Sequence, residues 1–312
     1  MAGWNEKASW SSGLVEVAER IYAYVDPEGT WFKSNSGIIA GKDYAILVDT
    51  QYNSERMRSL LSALVTRGIP DPRLVVLTHH HGDHAWTTHM VASAVTVCHE
   101  RTARMIESML NLDPSMYKAI FPHLDFTGAK YTAPDMVFSG DKLTLKSEGA
   151  PRAEVIPAGH THTPGDAVVY VPDSKVLFTG DLIFYKVTPL AIDAHLTGWI
   201  NALEQLLDMD VDIYVPGHGP VTGKEGVKEA KEYLETVLRE AERLMGSGED
   251  LLEMARKVKL GKFASWKDPE RIVPNLERAL MELSGTPPEQ PLPNVMETAI
   301  KMNQYRQWLL SS

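Results

Sequence analysis

Leu74-Val75-Val76-Leu77-Thr78-His79-His80-His81-Gly82-Asp83-His84 is an apolar run that ends in a burst of imidazoles and a carboxylate. Four potential metal ligands, His79, His81, Asp83 and His84, fall within six residues. Side chains alternate along an extended segment, so His79 and His81 point the same way. Asp83 and His84 follow the tight turn that Gly82 permits and address a second position. A single histidine is ordinarily a capped or surface residue. Four ligand types packed behind a buried strand read instead as a site.

Three later runs repeat the pattern of an apolar strand ending in small residues and a ligand type. Val155-Ile156 leads into Gly159-His160-Thr161-His162-Thr163-Pro164-Gly165-Asp166, where either histidine could be the ligand. Val176-Leu177-Phe178 leads to Thr179-Gly180-Asp181, and Ile213-Tyr214-Val215 to Pro216-Gly217-His218-Gly219-Pro220. Segments at one edge of a rigid sheet are where reactive groups gather. The donors total about seven, and the only thiol in the chain is Cys98. A structural zinc site closes with four protein ligands and is usually rich in Cys. A larger nitrogen and oxygen set suits two metals about 3.5–4 Å apart that share a carboxylate and a water, whose pKa falls toward about 7. Such ligation favours two zinc ions, with iron or manganese possible.

The rest of the chain frames this site. Residues 13–51 read as short strands, including a hairpin with its turn at Gly41-Lys42-Asp43. Residues 54–67 carry Met57, Leu60, Leu61 and Leu64 at helical spacing and end at Gly68. A strand at 94–98 and a helix at 100–111 precede an irregular stretch at 112–135 of the kind that forms lids. Strands return at 142–145, 153–156, 167–171 and 176–178, followed by a helix at 197–207 and a strand at 211–215. From 223 the chain turns to amphipathic helices, at 225–244, 251–258, 270–284 and 294–310. This predicts a layered α/β catalytic domain over 1–222 and a helical extension over 223–312.

Composition bounds the function. The 312 residues carry 31 Lys and Arg against 41 Asp and Glu, a net charge of -10 that disfavours nucleic-acid backbones. No apolar run reaches the roughly 18 residues of a membrane span. Residues 1–7 lack the basic and apolar regions of a secretory signal. One cysteine gives no disulfide framework, and the expected setting is cytoplasmic with a small-molecule substrate.

The His79-x-His81-x-Asp83-His84 motif, followed in order by His162, Asp181 and His218, resembles the metallo-β-lactamase-fold hydrolase superfamily over roughly residues 15–220. The resemblance implies a four-layer αβ/βα sandwich with the site at one edge. It implies that His79, His81 and His162 hold one metal, that Asp83, His84 and His218 hold the second, and that Asp181 bridges them. Asp49 is expected to support the metal loop from behind, with His160 as a neighbour of the site. True zinc β-lactamases usually place Cys or Ser where Asp181 stands, so the similarity is to the glyoxalase II and lactonase branch. The implied reaction is cleavage of a small ester, thioester or lactone-like substrate by a hydroxide bridging two metals and oriented by Asp83. An iron-dependent oxygenase or oxidoreductase and a β-lactam hydrolase are the alternatives. Trp31, Phe32, Trp86, Tyr117, Phe121 and Tyr185 are expected near the metal edge, where Trp31, Tyr185 and His195 are candidate substrate contacts. The other histidines, His80, His89, His99 and His123, read as structural or surface groups, and Cys98 as a buried thiol. The helical extension is expected either to cover the pocket or to form a homodimer contact.

Overall fold

The structure, a computed structural model, describes residues 12–26 and 28–311. The N-terminal stretch that carries the reading on secretion lies outside them. Twelve strands fall in two sheets among the described residues. The first runs β1 (Gly13–Ala18), β2 (Ile21–Val25), β3 (Ser36–Ala40), β4 (Ala45–Val48), β5 (Pro72–Leu77), β6 (Val95–His99) and β7 (Met136–Phe138) in spatial order. The second is ordered β12 (Ile213–His218), β11 (Val176–Phe184), β10 (Asp166–Val171), β9 (Ala153–Gly159), β8 (Leu143–Leu145). β1 to β4 pair antiparallel, and β4 to β7 pair parallel. In the second sheet only β11 and β12 are parallel.

The parallel strands require crossovers, and helices supply them. Helix α1 (Ser54–Arg67) links β4 to β5. Its N-cap Asn53 accepts from the Arg56 N–H, and Gly68 closes it at φ 71, a left-handed conformation that glycine adopts without Cβ strain. The predicted bounds are those observed. A single turn, α2 (Gly82–Ala85), follows β5, and α3 (Glu100–Ser108) follows β6. Helix α4 (Leu196–Asp208) connects β11 to β12.

Alternation along the strands builds the layers. Ile39, Ile46, Val48 and Val76 of the first sheet pack in one core with Val155, Val169, Phe178 and Val215 of the second. Their neighbours face outward. Ile38, Leu47 and Leu77 meet Met57, Leu60 and Ile106 of α1 and α3. On the other side Val168, Leu177 and Tyr214 meet Leu203 of α4. The order is therefore helix, sheet, sheet, helix, the four-layer αβ/βα sandwich that the motif implied.

The C-terminal segment forms α5 (Lys224–Leu244), α6 (Leu251–Lys257), α7 (Ile272–Leu283) and α8 (Val295–Ser311). Val227 and Leu234 of α5 and Leu276 of α7 enter the same outer core as β11 and α4. No helix among the described residues is long and apolar enough to cross a membrane. Several bounds differ from the sequence reading, including β9, which runs on to Gly159, and β12, which spans Ile213–His218. β11 continues six residues past Phe178 and stays buried throughout, because the sheet face beyond the expected end is still covered. β7, a strand the reading did not include, follows directly on the stretch read as irregular and pairs only with β6, its Met136 and Val137 half exposed.

A candidate metal centre at the sheet edge

The ends of β4, β5, β9, β11 and β12 converge at one edge. Asp49 ends β4 in a left-handed backbone conformation, φ 60, that is unfavourable for a non-glycine residue. Three hydrogen bonds hold it there. Its Oδ1 accepts from the Thr78 N–H at 2.8 Å, and its Oδ2 accepts from Thr78 Oγ1 at 2.7 Å and from His84 Nδ1 at 2.9 Å. Gly82 starts the turn after β5 because a Cβ there would stand 1.9 Å from the Trp86 ring. Gly217 is likewise required, since its Cβ would meet Asp181 Oδ1 at 1.9 Å.

The seven expected donors come together. Among the groups able to hold an ion, one comprises His79, His81, His162 and Asp181, and another Asp83, His84 and His218. The donor atoms of each lie within 4.8 Å of one another. Asp181 joins the two groups. Its Oδ2 lies 3.2 Å from His162 Nε2, 3.6 Å from His79 Nε2 and 3.6 Å from His218 Nε2. Its Oδ1 lies 3.1 Å from His84 Nε2, and Asp83 Oδ2 lies 3.1 Å from His218 Nε2.

Four of the five imidazoles are oriented from their far side, which fixes the nitrogen left bare, whereas His162 Nδ1 is buried without a partner. Thr78 Oγ1 spends its proton on Asp49, so it accepts from His79 Nδ1 at 3.0 Å and leaves His79 Nε2 as a lone pair. His84 Nδ1 donates to Asp49, and His218 Nδ1 to the Gly29 carbonyl at 3.0 Å. His81 Nε2 donates to Asp193 Oδ2 at 3.1 Å, which turns His81 Nδ1 inward to 2.9 Å from His162 Nε2. His79 Nε2, His84 Nε2 and Asp181 Oδ1 are buried without a hydrogen-bond partner. Buried polar atoms are rarely left so. A convergent set of orphaned imidazole and carboxylate atoms is what a divalent cation would satisfy, in place of the proton that Asp181, Asp83 and Asp49 favour on His84 against its burial.

The charges agree. Burial opposes ionisation of Asp181 and Asp83, but the facing imidazoles of His84 and His218 outweigh it. They hold Asp181 well below the usual carboxylate range and Asp83 at about 2. Burial and the neighbouring charge of His84 push His79 well below its ordinary value, so it stays neutral.

A cavity of about 280 Å³ opens onto these donors. His81, Asp83, Asp181 and His218 form its floor. Trp31, Phe32, Trp86, Tyr117 and Phe121 line one side, as expected, and Arg271 with α8 lines another. Two expectations are corrected. Tyr185 does not line the cavity: its ring lies under Lys186 Nζ at 4.6 Å, and only its backbone N–H touches the site, donating to the His218 carbonyl. His195 does not line it either, because its ring turns toward Glu282, with Nε2 3.5 Å from Oε1. His160 stands one step back and binds the Asp193 carbonyl at 2.8 Å.

Sequence reasoning missed Asp193, His80, Phe184 and Arg271. Asp193 follows no strand end, and nothing in Ala191-Ile192-Asp193-Ala194 marks it. His80 was read as structural, yet it lines the cavity with both ring nitrogens buried and unpartnered, its Nε2 3.7 Å from Asp193 Oδ2. Its position between two candidate ligand histidines was the available signal.

Residues 29–218 match the model of the metallo-beta-lactamase superfamily, and the chain belongs to that superfamily. It is 29% identical over 187 residues to the alpha subunit of 2,4-dinitroanisole O-demethylase from Nocardioides sp., covering 58% of this chain and 51% of that protein. It is 24% identical over 221 residues to the atrochrysone carboxyl ACP thioesterase of Aspergillus fumigatus, covering 70% of this chain and 45% of that one. The chain thus spans about half the length of these two curated relatives. Among solved structures, the sec-alkylsulfatase Pisa1 from Pseudomonas sp. superposes with a TM-score of 0.66 at 19% identity over 89% of this chain and 51% of that one. That likeness concerns the fold.

Proposed function

We propose that this chain is a metal-dependent hydrolase that binds two divalent cations, zinc in the first place, and cleaves a small ester, thioester or lactone-like substrate. The observation that carries the reading is the Asp181 carboxylate, one oxygen against His162 and His79 and the other against His84. His79, His81 and His162 would hold one cation, Asp83, His84 and His218 the other, and Asp181 would serve both. When bound, such a pair supplies Lewis acidity and lowers the pKa of a coordinated water toward about 7.

The chain's own residues supply the rest. Asp49 and Asp193 fix which nitrogens of His84 and His81 face inward. Asp83, ionised at the cavity floor, accepts a hydrogen bond from the attacking water and orients it. The aromatic wall keeps bulk water away, which strengthens the electrostatics of the floor. The likeness to a protein named as a thioesterase supports an acyl substrate.

The test is protein reconstituted with zinc and offered thioesters, lactones, phosphodiesters and β-lactams. The reading expects hydrolysis of an acyl substrate with about two zinc per chain. Fully metallated protein that cleaves none of them, or iron-loaded protein that consumes oxygen instead, overturns it.

A further inference from the structure

One part of the cavity wall comes from a stretch of the chain beyond the matched family residues. Val295, Thr298, Ala299 and Met302 of α8 face the cavity at spacings of three and four, one stripe of a helix. Val295 lines the cavity yet is 51% exposed, so it stands at the mouth. Ala299 and Met302 are buried deeper. Among the other lining residues, Trp31 and Phe121 pack with ring centroids 4.8 Å apart, and Phe32 and Trp86 stack at 5.5 Å.

Charge reaches the cavity from the donors, from Asp193 and from Arg271. Among the described residues that line it the only lysine or arginine is Arg271, whose charge is paired although its Nε has no partner. Its Nη2 lies 2.9 Å from Asp268 Oδ2, its Nη1 donates to the Thr188 carbonyl, and its guanidinium stacks 4.3 Å from the Trp31 ring centre. The walls therefore offer no free cation to a phosphate, sulfate or carboxylate substituent. They offer rings, whose edge-to-face and offset packing with another ring adds to simple burial. About 280 Å³ is near the lower end of the range for small-molecule sites, roughly 300–1,000 Å³, and admits a ring with a reacting group but no polymer.

We propose that the site selects a substrate whose non-reacting part is a compact uncharged aromatic group, seated between the Trp31–Phe121 pair and α8, with Ala299 and Met302 setting its size. The inference rests on the hydrolase reading for its chemistry and on the cavity for its specificity. The test uses the full zinc-loaded chain and thioesters sharing one thiol leaving group: acetyl, succinyl and phenylacetyl. Phenylacetyl is expected to exceed succinyl in kcat/KM by about tenfold or more, the scale of hydrophobic discrimination. In Ala299→Phe the ratio of phenylacetyl to acetyl kcat/KM falls by a similar factor at unchanged zinc content. A ratio equal to that of the parent means α8 does not touch the substrate and overturns the proposal. If Ala299→Phe does not fold, Met302→Ala is read for a raised ratio of naphthylacetyl to phenylacetyl turnover, and no rise overturns it. Should the parent cleave no thioester, the specificity is read by binding instead, and the hydrolase reading stands or falls on the wider panel of esters, lactones, phosphodiesters and β-lactams. Phenylacetate quenching tryptophan fluorescence at about tenfold lower concentration than succinate supports it, and equal or absent quenching refutes it.

Discussion

Asp49 Oδ2 accepts from His84 Nδ1 at 2.9 Å while its Oδ1 accepts the Thr78 N–H, so one buried carboxylate ties the end of β4 to both the strand end and the turn that carry the donors. The strained φ of Asp49 persists because those bonds over-determine it. Asp49→Ala removes the anchor. Zinc affinity is expected to fall by about 10–100-fold, measured by competition with a chromogenic chelator, with far-UV dichroism retained. Parental affinity in this variant would mean that His84 needs no support from Asp49.

Asp193 plays the same part for His81, from a loop instead of a strand end. In Asp193→Asn the side-chain amide can no longer accept as a carboxylate does, and the preference for a bare His81 Nδ1 weakens. A loss of about tenfold or more in zinc affinity or turnover is expected. Asp193→Glu is expected to recover part of it. Equal behaviour of the two variants would assign Asp193 to mere packing.

Gly82 is a steric requirement. With a Cβ at 1.9 Å from the Trp86 ring, Gly82→Ala forces the turn or the indole to move. A destabilisation of about 1–3 kcal/mol in urea unfolding is expected, with weakened zinc binding. A variant as stable as the parent would show that the turn has slack.

Cys98 is fully buried, and burial together with the Glu107 charge pushes its thiol up to about 12. At pH 8 it is therefore protonated as well as shielded, and the thiolate is the reactive form. A disulfide reagent is expected to label it only in denaturant. Fast labelling of the native protein would contradict the packing of β6.

Much of this was legible in the sequence, for a stated reason. The α1 bounds follow from Asn53, the 3.6-residue spacing of Met57, Leu60 and Leu64, and Gly68, all local signals. The seven donors were readable because each follows an apolar strand, and strand ends at one sheet edge meet whatever their distance along the chain. Asp193 and Arg271 were not, because their roles arise only when a loop and the C-terminal helices fold back over the edge. His195 and Tyr185 misled for the converse reason: adjacency to the site in sequence does not fix a side chain's direction. Glu282 of α7, distant in sequence, draws the His195 ring away.

Anomalous diffraction from zinc-soaked crystals, paired with elemental analysis of parent and Asp181→Ala protein, bears most directly on the site. Two zinc peaks flanking the Asp181 carboxylate, about two equivalents in the parent and about one or fewer in the variant, are the predicted result. A single peak, or a variant that keeps the parental zinc content, contradicts an aspartate shared by two cations.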